Sequence, residues 1–296
     1  MDFKDGLSWF AEKLYEGTIG FAYKIASDFA TEGMKLVFKY VTIDTNINEY
    51  IDLKQYLSSI QYIALGLLLL SIAWEAFKQQ AGAAAFRTDE ISIETLIMRT
   101  TFAAINIFFL PWSVQNVFIK INNLLVKMIN AGGVEIKPDG SLFNALTSIQ
   151  NLSSIIVLLM LVFFVSFFVL GIVAAIRYIE IIYLILIAPF VAISIVRSGD
   201  SLDVWIRETI AVVFTQAVQA FGLQLLANII GKLDQQPFEA YILSMGCLVV
   251  ILRGPQFLRR FLYNTGVGSA VTRSVGQAGR MAAYKYLAKA PRMAVA

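Results

Sequence analysis

Residues 153–196 read SSIIVLLMLVFFVSFFVLGIVAAIRYIEIIYLILIAPFVAISIV, an apolar stretch broken by two charges, Arg177 and Glu180. From Gly140 to Ile176 there is no Asp, Glu, Lys or Arg at all. That run exceeds the roughly 20 residues that cross a hydrocarbon core, so the solvent it calls for is lipid. The rest of the chain agrees. Its 296 residues are 58% hydrophobic and 15% charged, with a mean hydropathy of +0.68, whereas soluble domains carry roughly 25% charged residues. The sequence predicts an all-α polytopic membrane helix bundle of about five or six transmembrane helices, with an N-terminal amphipathic helical region and a basic C-terminal tail.

Bounding apolar runs by charge gives a transmembrane domain over 55–252, with spans at 55–77, 95–118, 153–175, 178–196, 210–230 and 241–252. At about 1.5 Å per residue the third and fourth spans measure about 34 and 28 Å, each enough for a core of about 30 Å. Only Arg177 and Glu180 separate them, and no Gly or Pro marks a turn there. Either the chain reverses tightly near Ala175 to Ile179, or one helix of about 66 Å projects well beyond the bilayer.

The region 1–54 differs in character. Helical spacing brings Leu7, Phe10, Leu14, Phe21, Ile25 and Phe29 within an arc of roughly 100°, with most charges outside it. Such a helix lies in the membrane interface or packs on a partner subunit. The opening MDFKDGLSWF lacks the pattern of a cleavable signal, so insertion is expected to use internal helices. The tail, 253–296, holds eight basic residues and no acid, which predicts a cytoplasmic C-terminus, with Lys54, Lys120, Lys127, Lys137, Arg197 and Arg207 on the same side.

Several classes of chemistry are disfavoured. The chain has no histidine and one cysteine, Cys247, which removes the usual metal ligands, proton shuttles and Ser-His or Cys-His pairs. No phosphate-cradling Gly-x-x-x-x-Gly-Lys-Ser/Thr string occurs. No catalytic residue, cofactor or metal is therefore expected, and any ATP energy must come from a partner.

Among polar residues within spans, Arg99 lies near the start of the second and can snorkel to the interface or line a polar path. The fifth span is the most polar, with Gln216, Gln219, Gln224 and Asn228. Amides in lipid need partners, so this face is expected to meet other helices or an aqueous lumen. Arg177 and Glu180, at i and i+3, can neutralise one another at a helix end. Pro189 sits inside the fourth span, where a missing N–H makes either a packing kink or a hinge. The basic residues of the tail suit acidic lipid first, and nucleic acid or an ATPase surface second.

From the fourth span onward the sequence runs IAPFVAISIV, then RSGDSLDVWIRETI, then VFTQAVQAF, and closes the last span with GPQFLRRFL. An Ala-Pro-aromatic helix, a charged loop and a Trp opening the next polar helix resemble the TrbL-type polytopic inner-membrane subunit of type IV secretion and conjugation machines. Ala188, Pro189, Phe190, Arg197 and Trp205 occupy the matching places, and the agreement covers roughly residues 150 to 268. The resemblance implies a multi-copy channel or scaffold subunit in the bacterial cytoplasmic membrane. It would move DNA or protein beside partner ATPases and other machine subunits, as a homo-oligomer in the lipid bilayer. Two other classes stand beside it. A secondary transporter predicts internal repeats and buried ion pairs, and a membrane-embedded enzyme needs clustered acids or histidines; neither pattern is visible.

Overall fold

The computed structural model describes residues 31–49, 51–84, 93–133, 154–197, 200–232 and 237–264, with single positions at 17, 21, 24, 25, 28 and 29. Among the described residues every regular element is a helix. Helix α1 covers 31–37 and passes into a π-helical turn, Phe38–Thr42. A 3-10 turn, Ile47–Glu49, leads to α2, Leu53–Ala84. Then follow α3, Ile93–Ser113, a second π-helical turn, Val114–Phe118, and α4, Ile119–Gly132. Next come α5, Ser154–Ile193, continued by a 3-10 turn, Ser194–Val196; α6, Asp200–Ile230; and α7, Pro237–Asn264.

Among the described residues, four helical stretches are long and apolar enough to cross a membrane: Leu53–Ala81, Ile93–Gly132, Val162–Val196 and Ser201–Ile230. A fifth exists if Phe238–Gly254 and Gln256–Tyr263 form one broken span. The spans expected at 153–175 and 178–196 are corrected here, because α5 runs through both without reversing. The charges read as a boundary are not at one: Arg177 is buried, with partners that let it stay inside. The second span is also longer than expected. It continues past Phe118 into α4, so Lys120 and Lys127 lie on a helix.

Two compact units make up the chain. One combines Met1–Asn46, Ile119–Glu180 and Val213–Gly254. Its core joins Met34, Val37 and Val41 to Phe163, Phe167 and Leu223. Glycine sets how closely its helices cross. A Cβ at Gly33 of α1 would lie 2.7 Å from Phe168 Cα of α5, and one at Gly171 would lie 2.9 Å from Leu36 Cβ. Small residues at such crossings let backbones approach, which is how membrane helices gain packing energy without a hydrophobic driving force. The N-terminal region was expected to lie in the interface or on another subunit. Met34, Val37 and Val41 at its described end pack on the core of this unit, while Phe21, Ile25 and Phe29 of the expected apolar face are exposed; Leu7, Phe10 and Leu14 lie outside the described residues.

The other unit comprises Ile47–Phe118, Ile181–Val212 and Pro255–Ala296. Ala64 and Leu68 of α2 and Ala103 and Ile107 of α3 are buried, and Gln61 Nε2 donates to Ile107 O at 3.4 Å. The rest of α2 presents Tyr62, Leu69, Leu70 and Phe77 outward. A continuous exposed surface of such side chains is what a lipid-facing helix carries.

Candidate functional site

The polar face predicted on the fifth span maps onto α6, and the structure divides it. Gln216 and Gln219 are fully buried and Gln224 is nearly so, while Asn228 is exposed and donates to Gln224 O at 2.9 Å. Gln216 is the centre of a hydrogen-bonded hub. A carboxamide offers two N–H donors and one oxygen, and here all are engaged. Its Nε2 donates to Val41 O at 3.1 Å and to Ile43 O at 2.8 Å. Its Oε1 accepts from Thr45 Oγ1 and Asn122 Nδ2, both at 2.7 Å, and from Arg177 Nη1 at 3.0 Å.

What the hub holds is the stretch of backbone leaving the first π-helical turn. Past Thr42 the chain stops being helical, so its carbonyls lose their intrahelical partners. Side chains from three helices replace them. Arg177 Nη2 of α5 donates to Tyr40 O at 2.9 Å, and Asn130 Nδ2 of α4 donates to Thr42 O at 3.0 Å. Asn123 of α4 clasps Thr45 from both sides, accepting from its N–H at 3.1 Å and donating to its carbonyl at 3.3 Å. Tyr178 Oη of α5 donates to Asn46 O at 2.9 Å. With the two carbonyls taken by Gln216, every backbone oxygen from Tyr40 to Asn46 except that of Asp44 receives a side-chain donor. The Asp44 side chain in turn pairs with Lys127 of α4 at 2.6 Å. Irregular backbone within a membrane protein is tolerated only where protein or water satisfies it, and here protein does.

The same arrangement makes a place for Arg177, which is 3% exposed. A buried cation is costly unless charge and hydrogen bonds surround it. The guanidinium faces Tyr40 O at the C-terminal end of a helix, where carbonyls carry partial negative charge. Glu180 adds a favourable charge from its own helix. The i,i+3 pairing anticipated between these residues is thus one part of a larger set, and the direct hydrogen bonds of Arg177 go elsewhere.

Asn122, Asn123, Asn130 and Thr45 were not picked out from sequence. The signal was present in IKINNLLVKMIN, where Asn123 and Asn130 fall on one helical face, seven residues apart. This stretch lies between the second and third expected spans, outside both. Gln219, by contrast, was picked out and does not join the hub: neither of its amide atoms has a hydrogen-bond partner among the described residues.

The residues that carried the resemblance lie in the other unit. Pro189 is buried within α5 and lacks the N–H that would bond Ile185 O. Trp205 of α6 donates Nε1 to Leu184 O, one residue before that carbonyl, at 3.0 Å. Ala188 is fully buried, Trp205 nearly so, and Phe190 faces outward. Arg197 ends this segment with its Nε 3.4 Å from buried Glu75 of α2, and its carbonyl accepts from Arg99 Nη1 at 2.7 Å. Arg99 therefore caps a helix C-terminus, where a cation is favoured. Among the described residues no group of three or more His, Cys, Asp or Glu could hold a metal ion.

No curated protein and no solved structure matches the chain. The family model described as conjugal transfer protein TrbL matches it over residues 4–289, which takes in both units and every residue of the hub. With that match extending nearly end to end, the resemblance first carried by Pro189, Arg197 and Trp205 becomes membership: the chain belongs to the TrbL family of conjugal transfer proteins.

Proposed function

We propose that this chain is a non-enzymatic structural subunit of the channel through which a conjugative or type IV secretion machine moves DNA or protein across the cytoplasmic membrane. The observation that carries the reading is the family match over residues 4–289. It is a multi-pass membrane protein whose energy for transfer comes from partner ATPases. The basic tail, with eight Lys and Arg from Arg253 onward and no acid, supports a cytoplasmic C-terminus. Several copies assemble with other subunits of the machine. Within each copy the hub around Gln216 supports this role by fixing the backbone leaving α1 against α4, α5 and α6, which gives neighbouring subunits a rigid surface to bind.

Transfer frequency in a donor lacking the gene, complemented in trans, tests the reading. Loss of transfer on deletion and its return with the intact chain are expected. Undiminished transfer from the deletion donor overturns it. Purified chain should be inert toward ATP, and turnover abolished by a point substitution in this chain would refute the non-enzymatic part.

A further inference from the structure

The end of α7 differs from the helix before it. Beyond Gly254-Pro255 the sequence QFLRRFLY, residues 256–263, alternates aromatic, aliphatic and basic residues. One side of this segment is anchored. Leu262 is buried, Arg259 Nη2 lies 2.6 Å from Glu208 Oε1 of α6, and the Arg207 guanidinium lies 5.7 Å from the Tyr263 ring centre. These contacts determine which side points away. It carries Phe257, 69% exposed, Phe261, 51% exposed, and the exposed Arg260, with the exposed Gln256 off to one side. At about 100° per residue the two phenylalanines are about 40° apart and Arg260 is about 60° from Phe257.

That face fits one environment. Phe257 and Phe261 side by side suit an apolar phase, whereas the Arg260 guanidinium suits water or an anion, and the two requirements meet at a bilayer's headgroup boundary. Charge decides the kind of lipid. From Arg253 to Ala296 there is no Asp or Glu, so nothing in the tail's own sequence competes for the arginine. The geometry points to an interfacial anchor: residues 256–263 lie in the plane of the membrane surface, Phe257 and Phe261 enter the headgroup–acyl boundary, and Arg260 binds the phosphate of an anionic phospholipid.

The test uses the full chain carrying Cys247→Ala, with single nitroxide labels at 256, 257 or 261. It is reconstituted in vesicles of phosphatidylcholine alone or with one third phosphatidylglycerol. Collision rates with oxygen and with a water-soluble nickel complex give the depth of each label. Labels at 257 and 261 should sit at the headgroup boundary and lie deeper in the anionic vesicles, with the label at 256 more accessible to nickel. Arg260→Gln should cut the preference for phosphatidylglycerol over phosphatidylcholine about fivefold, roughly the effect of one basic residue near an anionic surface, and Arg260→Lys should keep it. Labels at 257 and 261 equally open to water in both vesicles would overturn the anchor. So would labels shielded from both reagents, which would mean a protein partner, or labels at mid-bilayer depth, which would mean a continuing span. An unchanged lipid preference in Arg260→Gln would overturn the anionic contact.

Discussion

Replacing Gln216 with leucine removes five hydrogen bonds while nearly conserving side-chain volume, so the effect isolates the hub. The orphaned groups are Asn122 Nδ2, Thr45 Oγ1 and Arg177 Nη1 on one side and the carbonyls of Val41 and Ile43 on the other. At about 0.6 kcal/mol each, the average for side-chain hydrogen bonds in a membrane protein, the loss is about 3 kcal/mol. At the values for buried bonds, with the larger allowance for one donor that is charged, it reaches roughly 6 kcal/mol. Gln216 is 0% exposed, so water does not fill in. The assay is unfolding of the full chain in mixed micelles of mild detergent and dodecyl sulfate, followed by far-UV circular dichroism. Asn228→Leu, on the exposed side of the same helix, serves as control and should cost under about 0.5 kcal/mol. Hydrogen exchange adds position: amides of residues 43–46 should exchange faster in Gln216→Leu, because the carbonyls that hold this backbone lose their donor. A loss below about 1 kcal/mol, or one equal to that of Asn228→Leu, would show that the hub does not hold the segment.

Three further outcomes follow from neighbouring geometry. Gly33→Ala should destabilise by about 1 to 3 kcal/mol in the same assay, since the new Cβ meets the Phe168 backbone at 2.7 Å, whereas Gly66→Ala, with nothing within 4 Å, should be neutral or stabilising by up to about 1 kcal/mol. Trp205→Phe keeps an aromatic ring but removes the donor to Leu184 O, so it should cost about 1 kcal/mol and speed exchange near Pro189; an unchanged exchange pattern would count against that bond. Gln219→Leu should be neutral or stabilising, because it removes a buried amide with no partner among the described residues; a loss comparable to Gln216→Leu would mean Gln219 is bonded in the assembled protein.

The membrane class was legible because it rests on composition and run length, which do not depend on partners. The first, second and fifth spans begin within a few residues of helices that form, or lie inside longer ones. What failed was the use of charge as punctuation. Arg177 interrupts an apolar run in the sequence, but a charge ends a span only when it has nowhere to go. Here Tyr40 O, Thr45 and Gln216 receive it, and those residues are 132 or more positions away or, for Gln216, on the following helix. Of the amide face on α6, Gln216 has hydrogen-bond partners, whereas Gln219 has none among the described residues. Which amides find them depends on the placement of Asn122 and of carbonyls from residues 41 and 43, and no local pattern in α6 encodes that.

The same geometry bears on the N-terminal boundary expected at residue 54. The residues up to Asn46 belong to the same unit as α4 and the adjoining parts of α5, α6 and α7. Their attachment is polar as well as apolar: Met34 and Val37 are buried in the shared core, and the carbonyls of residues 40–43 are claimed by Arg177, Asn130 and Gln216. The dependence runs both ways. Without that segment Arg177 would be a buried cation with Gln216 as its one remaining hydrogen-bond partner among the described residues, and breaking up a buried charge's contacts typically costs about 3 to 5 kcal/mol. Removing the first 46 residues would therefore do more than delete an appendage. It would leave the Arg177 guanidinium, the Gln216 amide nitrogen, Asn123 and Asn130 without the backbone groups they bond, so the bundle formed by α4, α5 and α6 is expected to lose stability without its N-terminal segment.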